Sequence, residues 1–407
     1  MNILMITQFF YPEPNHLKGL SFAKELSKNG HNLIILTGFP NYPKGKIYTG
    51  YKQKLFSKEI IDGINIIRAP LYIDHSASSI KRILCYLSFA FTSSVVGCFL
   101  LSHIDVIYVY QGPATLAIPA MLYKILFNKP YLLDIQDLWP ESVSNSGMMK
   151  SEHATKIINK YCNITYQMAN KIVVLSNGYK SLLVNRNVNP DKIKVIYNWC
   201  DENQIMNIKN DTICSNLITP NNFNIIYAGN FGKLQALSKI IKVAEYMEKN
   251  IPKIIFYLIG DGVEESQLKN QVNNKRLKNV IFIPRQSVSD IVVLLRKADG
   301  LIIHLVDRPI CNVGIPQKVQ AYMAIGKPLI AAIKGDALEV VKTAKCGVVC
   351  EPENLESIIC AVKKLYGMSF SERNIMGQRG QRYYRENFSF DIGVKKIIDL
   401  LRQTHRD

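Results

Sequence analysis

The chain has 407 residues, 48% of them hydrophobic and 20% charged, and carries a net charge of +18. That composition excludes a disordered chain and suits two domains or slightly more, while the positive balance asks for an anionic partner such as nucleic acid, acidic lipid headgroups or a phosphorylated small molecule. Nine cysteines without a C-x-x-C give no zinc or disulfide framework and point to a reducing, cytoplasmic setting.

Short apolar runs alternate with helix-like stretches, the pattern of a parallel α/β sheet. MNILMITQFF lacks the basic region and cleavage site of a signal peptide and reads as a first strand, Asn2–Thr7. Leu17, Leu20, Ala23 and Leu26 then share a helical face, Gly30 stops that helix, and HNLIILTG supplies the next strand. Pro43 to Lys58, PKGKIYTGYKQKLFSK, holds five lysines and no acid, with Tyr48, Tyr51 and Phe56 between them. Such interleaving suits an anionic bilayer surface, and a solvated basic loop is the plainer alternative. Ile83 to Leu101 is uncharged for 19 residues but diluted by Ser88, Thr92, Ser93, Ser94 and Gly97, so a buried or membrane-surface helix is expected rather than a span. DVIYVY (105–110), PYLLDI (130–135) and KIVVLS (171–176) read as buried strands, and VIYNWCD (195–201) closes the first half.

Residues 202–222 turn polar and Asn-rich, which marks a linker. Strands resume at NIIYAGNFG (224–232), KIIFYLIGDG (253–262), NVIFIPR (279–285), GLIIHLV (300–306) and KPLIAAI (327–333). Domains of 1–201 and 223–385 follow, and residues 386–407 are expected to form a helix packing back on the first domain. Two such halves leave a cleft, a preferred place for ligands.

Ligands of open α/β sheets bind outside the carboxyl ends of the strands. After Ala228, Gly229 and Gly232 form a turn before a helix, an anion cradle in outline or an ordinary βα turn. Gly260-Asp-Gly262 fails as a dinucleotide fingerprint, because Glu265 stands where the third glycine belongs. Pro316 opens a helix that Gly326 ends, so Lys318 sits in its first turn, where it opposes the helix dipole unless an anion is bound. Arg285, at another strand tip, is a second cation. No D-x-D occurs, so the charge of a leaving diphosphate falls to lysine, arginine and helix N-termini rather than to a metal. In YLLDIQDLWPES, two acids end a strand that gains nothing from them.

TGFPNYPKGKIYTGY (37–51), DLWPES (137–142), IYNWCD (196–201) and AGNFGKLQAL (228–237) together resemble retaining GT-B glycosyltransferases of family 4. The similarity is to the bacterial O-antigen, capsule and colanic acid branch that includes L-fucosamine transferases. The resemblance implies two Rossmann-like domains facing each other across a cleft. It also implies transfer of a 2-acetamido sugar such as N-acetyl-L-fucosamine from a UDP-sugar to an undecaprenyl diphosphate-linked saccharide, with retention. By the same resemblance Gly229 and Asn230 match the glycine turn, Arg285 and Gln286 the stretch that meets the base, Lys318 the cation beside the diphosphate, and Gly19 a glycine loop of the first half, here Lys18-Gly19.

Val313 and Ala321 stand where wider relatives carry two glutamates, the second gripping the ribose, which makes Glu339 the nearest acid to nominate. Asn230 replaces an arginine, shifting diphosphate charge onto Lys233, Arg285 and Lys318, and Gln136 replaces a histidine. Asp137 is expected to orient donor or acceptor sugar with Glu141 as its neighbour; a helix N-cap is the plain alternative for Asp137. The expected setting is peripheral, at the cytoplasmic face of the inner membrane, without metal or nucleic acid. A nucleotide-sugar 2-epimerase of the same fold and a non-catalytic scaffold of a polysaccharide assembly complex are the rival readings.

Overall fold

Runs of isoleucine, valine and leucine too short for helices become the strands of two separate sheets. The computed structural model describes residues 1–15, 17–74, 78–141, 152–206 and 217–407. Chain contacts divide it into an N-terminal unit, Met1–Tyr197 with Asp391–Asp407, and a C-terminal unit, Asn198–Phe390.

The N-terminal unit carries β1 (Asn2–Ile6), β2 (Asn32–Gly38), β3 (Ser57–Ile61), β4 (Ile64–Ala69), β5 (Val106–Gln111), β6 (Tyr131–Ile135), β7 (Lys171–Val174) and β8 (Ile193–Val195). They pair in the order β3-β4-β2-β1-β5-β6-β7-β8. All pairs are parallel except β3–β4, a hairpin turned by Asp62 and Gly63, both at positive φ. Helix α1 (Leu20–Lys28) buries Phe22, Ala23 and Leu26.

The uncharged segment after Arg82 lies in helix α2 (Ser79–Cys98). It buries Cys85, Phe89 and Ala90 together with small residues nearer its end: Ser93, Ser94 and Gly97 lie against α3 (Ala117–Phe127), whose Tyr123 hydroxyl reaches the carbonyls of Ser93 at 2.5 Å and Ser94 at 2.9 Å. A Cβ at Gly97 would overlap that hydroxyl. α2 is therefore a layer helix packed by its inner face.

The C-terminal unit holds β9 (Phe223–Ala228), β10 (Ile254–Ile259), β11 (Val280–Ile283), β12 (Gly300–His304), β13 (Leu329–Ala332) and β14 (Gly347–Cys350), all parallel. Their order, β11-β10-β9-β12-β13-β14, is that of a dinucleotide-binding doubly wound sheet.

Two expected boundaries move. Asn198–Asp201 group with the C-terminal unit, because Cys200 N–H donates to the Tyr384 hydroxyl at 3.0 Å and Trp199 packs edge-on against Phe390 at 5.2 Å. Residues 202–206 of the expected linker form a short helix whose Glu202 accepts from Tyr384 at 2.8 Å and from the Phe390 N–H at 2.7 Å; residues 207–216 lie outside the described residues. The C-terminal unit runs to Phe390 rather than 385, because the preceding helix extends to Asn387, and the terminal helix begins at Phe390. It belongs to the N-terminal unit, where Asp407 pairs with Lys171 at 2.9 Å.

Candidate functional site

In the C-terminal sheet the strand order reverses between β9 and β12, and a ligand crevice belongs there. β9 ends at Ala228, gripped by Tyr322 of the helix Gln317–Ile325: the phenol accepts from the Ala228 N–H at 2.8 Å and donates to its carbonyl at 3.2 Å. Gly229 follows at φ +139°, and a Cβ there would overlap Lys318 Cε and approach Nζ to 2.9 Å. Only glycine lets lysine and backbone come this close.

Lys318 Nζ donates to the Tyr227 hydroxyl at 2.8 Å and stands 4.7 Å from that ring's centre, while Tyr227 donates onward to the Asn230 carbonyl at 2.7 Å. Among the described residues no carboxylate pairs with this ammonium, and burial lowers its pKa to about 8. A partly buried cation in a helix's first turn without counter-charge is electrostatically unfavourable alone and favourable beside an anion.

Two supports fix the turn. Phe231 N–H donates to the Asp261 carbonyl at 2.6 Å and Glu264 N–H to the Phe231 carbonyl at 3.0 Å; a Cβ on Gly262 would come within 2.5 to 2.7 Å of Phe231 backbone atoms. Gly260-Asp261-Gly262 thus seats the neighbouring loop. On the other side His304, buried at the tip of β12, bridges the Gln235 carbonyl (Nδ1, 2.9 Å) and the Glu353 N–H (Nε2, 2.9 Å). A backbone N–H can only donate, so Nε2 accepts and Nδ1 carries the proton. Burial lowers the pKa of this imidazole, in keeping with its neutral form.

The N-terminal sheet reverses between β1 and β5, whose tips are the buried Gln8 and Gln111. Both amide atoms of Gln111 lack a protein partner. Beside them on β6, buried Asp134 accepts from the Tyr108 hydroxyl at 2.5 Å and from Gln136 Nε2 at 2.6 Å, with Lys18 Nζ 3.9 Å away. Burial lowers Lys18 to about 8 against the pull of Asp134, and burial raises Asp134 against the help of Lys18, Tyr108 and Gln136. Gly19 is the N-cap of α1, where a Cβ would overlap the Asn15 carbonyl. The FPNYP segment is held by buried Glu13, which accepts from the N–H groups of Asn41 and Tyr42, both at 2.7 Å.

Residues 20–204 match the family model Glycosyltransferase Family 4, and residues 209–383 match Glycosyl transferases group 1. The chain is a glycosyltransferase of the GT-B fold. Among its relatives is Escherichia coli WcaI, "Putative colanic acid biosynthesis glycosyl transferase", 23% identical, with 83% of this chain and 85% of the relative covered. "Probable glycosyltransferase WbjE" of Pseudomonas aeruginosa is 20% identical over 73% and 74% of the two chains. Anabaena Alr3699/HepE, solved in complex with UDP and glucose, superposes with a TM-score of 0.66 at 15% identity over 98% and 99% of the chains.

Within this glycosyltransferase the structure brings together Gly229, Asn230 and Lys318. Arg285 joins through Asp261, 3.4 Å away, although its side chain is 78% exposed. Gln286 turns back to the Pro284 carbonyl at 2.8 Å, and Lys233 is exposed on the turn after Gly232. Glu339 lies mid-way along the helix Gly335–Ala344 rather than at its start, exposed and paired with Lys342 at 3.2 Å. In the N-terminal unit Asp137 stays exposed at the tip of β6, and crowding by the surrounding protein raises its pKa. Glu141, expected as the neighbour of Asp137, pairs with Arg186, which also donates to the Trp139 carbonyl at 3.0 Å.

Sequence reasoning missed Tyr227, Tyr322 and His304, whose roles depend on partners far along the chain. It also passed over Lys18 and Asp134 as a pair. The signal for Asp134 was present, since an acid inside the buried run YLLDI needs a partner. Among the described residues no group of three or more His, Cys, Asp or Glu is arranged to hold a metal ion.

Proposed function

We propose that this glycosyltransferase moves a 2-acetamido sugar, such as N-acetyl-L-fucosamine, from UDP to a saccharide on a lipid diphosphate at the cytoplasmic membrane face, with retained anomeric configuration. The observation that carries the donor side is Lys318, a partly buried ammonium that no carboxylate pairs among the described residues, pressed against the Gly229 turn. A nucleotide diphosphate supplies the missing charge. Its oxygens accept from Lys318 Nζ and from N–H groups at the start of the helix Gln317–Ile325, stabilising the leaving group as the glycosidic bond breaks. No metal is assigned a part in this reading.

Two relatives lend support: HepE was solved with UDP and glucose, and WcaI is named for colanic acid biosynthesis. The sugar and acceptor side falls to the N-terminal unit, where Asp137 and the amides of Gln8 and Gln111 supply groups suited to hydroxyls. Thermal unfolding with UDP, GDP and NAD, each with and without a chelator, tests the proposal. A ligand at 100 times its dissociation constant stabilises by about 2.7 kcal/mol. A chelator-resistant shift with UDP alone is expected; silence with every nucleotide would sink the reading.

A further inference from the structure

Helix α2 is apolar on both faces. Its buried face puts Cys85, Phe89 and Ala90 into the core beside Ser93, Ser94 and Gly97, with the Ser94 hydroxyl spent on the Ala90 carbonyl at 2.7 Å. Its outward face carries Ile80, Leu84, Leu87, Phe91 and Val95, three or four residues apart and all exposed, and Phe99 continues the stripe at 84% exposure. A helix with this outer face in water would carry polar residues there, because large apolar side chains lose most when left wet. Beside the stripe, Leu55, Phe56 and Ile60 are exposed on and before the edge strand β3.

Between these two apolar edges runs a groove of about 840 Å³. Ile34 and Ile67 of the sheet form its floor, Phe91 and Val95 one wall, and Leu55 and Phe56 the other. Its geometry is held open. Thr92 donates to the Pro70 carbonyl at 2.6 Å, the Ser88 hydroxyl accepts from Tyr72 N–H at 2.8 Å, and Gln53 accepts from Leu71 N–H at 2.8 Å. The rim is cationic: Lys52, Lys54 and Lys58 are exposed, while nearby Glu59, Asp62 and Asp74 are each paired with a base.

We infer that this face seats in an anionic phospholipid leaflet and that the groove takes one hydrocarbon chain of a leaflet lipid. An apolar stripe bordered by unpaired lysines complements acyl chains beneath anionic headgroups, and neither water nor an acidic protein surface satisfies both parts. This deepens the membrane-side part of the proposed function and is independent of its UDP part.

The test uses the full-length protein carrying Phe91→Trp as a reporter inside the groove. It is mixed with vesicles of phosphatidylcholine alone, or of phosphatidylcholine and phosphatidylglycerol at a seven-to-three ratio, with and without bromine on the acyl chains. Binding to the anionic vesicles with bromine quenching of the tryptophan is expected. Phe91→Glu with Phe99→Glu should abolish it while leaving the UDP-dependent thermal shift intact. Lys52→Glu, Lys54→Glu and Lys58→Glu together should weaken it by about 100-fold at low salt, from about fivefold per basic residue.

Binding without quenching would overturn the groove assignment in favour of headgroup attraction alone. Binding only after polyprenyl phosphate is added would overturn the phospholipid as occupant and give the groove to the acceptor's own chain. A dimer by light scattering, broken by the paired glutamates and indifferent to vesicles, would make the face a self-interface. Loss of the UDP shift with lipid binding intact would count against the donor reading only.

Discussion

Replacing Lys318 with methionine should raise the stability of the ligand-free protein and abolish its response to UDP. Burial takes the ammonium from 10.5 to about 8, which corresponds to about 3 kcal/mol at 1.36 kcal/mol per pKa unit. Residual access of water brings this to roughly 2 kcal/mol. Methionine removes that penalty but loses the hydrogen bond and ring contact with Tyr227, together about 1 kcal/mol. The net gain of about 1 kcal/mol means roughly 2–4 °C in melting temperature for a unit of this size.

The pH dependence fixes the cause. Between about 8 and 10.5 the unfolded chain holds a proton on Lys318 that the folded chain has released, so wild-type stability rises with pH across that window. The advantage of Lys318→Met should therefore be full at pH 7.5 and gone or slightly reversed at pH 10, read by calorimetry with and without UDP. A variant less stable than wild type at pH 7.5, or one still stabilised by UDP, would refute the reasoning that this lysine is held in an unfavourable place for an anion.

Asp134→Asn should cost about 3–5 kcal/mol, because it leaves Lys18 buried without its carboxylate, and the double variant with Lys18→Met should recover most of that loss in urea unfolding. His304→Ala strands the Gln235 carbonyl and the Glu353 N–H, for a loss of about 2–4 kcal/mol. In the wild type, whose His304 pKa is lowered by burial, stability should fall as pH drops below about 6.5 because the unfolded imidazole then takes up a proton first. The alanine variant should show a shallower fall between pH 7.5 and 5. Gly262→Ala drives a methyl into the Phe231 backbone and should displace the Gly229 turn, weakening the UDP thermal shift even where the protein remains folded.

The alternation of strands and helices was legible because buried parallel strands need continuous apolar runs, and ten of the strands announce themselves that way. The β3–β4 hairpin was written too, in EIIDGINII, where Asp-Gly between alternating residues is a direct turn signal. The catalytic geometry was only half visible. Gly229 and Lys318 stand at positions where backbone chemistry constrains the residue type. Tyr322 and His304 act through contacts 94 and 49 residues away, and no local pattern encodes such reach. The Glu339–Lys342 pair was within local reach, since the two residues stand three apart on one helix.

The two strand-order reversals differ in charge, and that difference argues for a division of labour. At β9 and β12 the turn gathers a lysine with no buried acid against it, so the site is incomplete without an anion. At β1 and β5 the buried Lys18 already faces Asp134, and what is left over are amides such as Gln111 with unspent donors and acceptors. Amides without net charge suit a neutral, hydroxyl-rich ligand, because each can donate and accept without demanding a counter-ion. A diphosphate would gain little there, and a sugar would gain little beside Lys318. Under the proposed function, the same doubly wound architecture serves a nucleotide in one unit and a saccharide in the other, and what separates them is whether the lysine at the strand-order reversal has a carboxylate beside it.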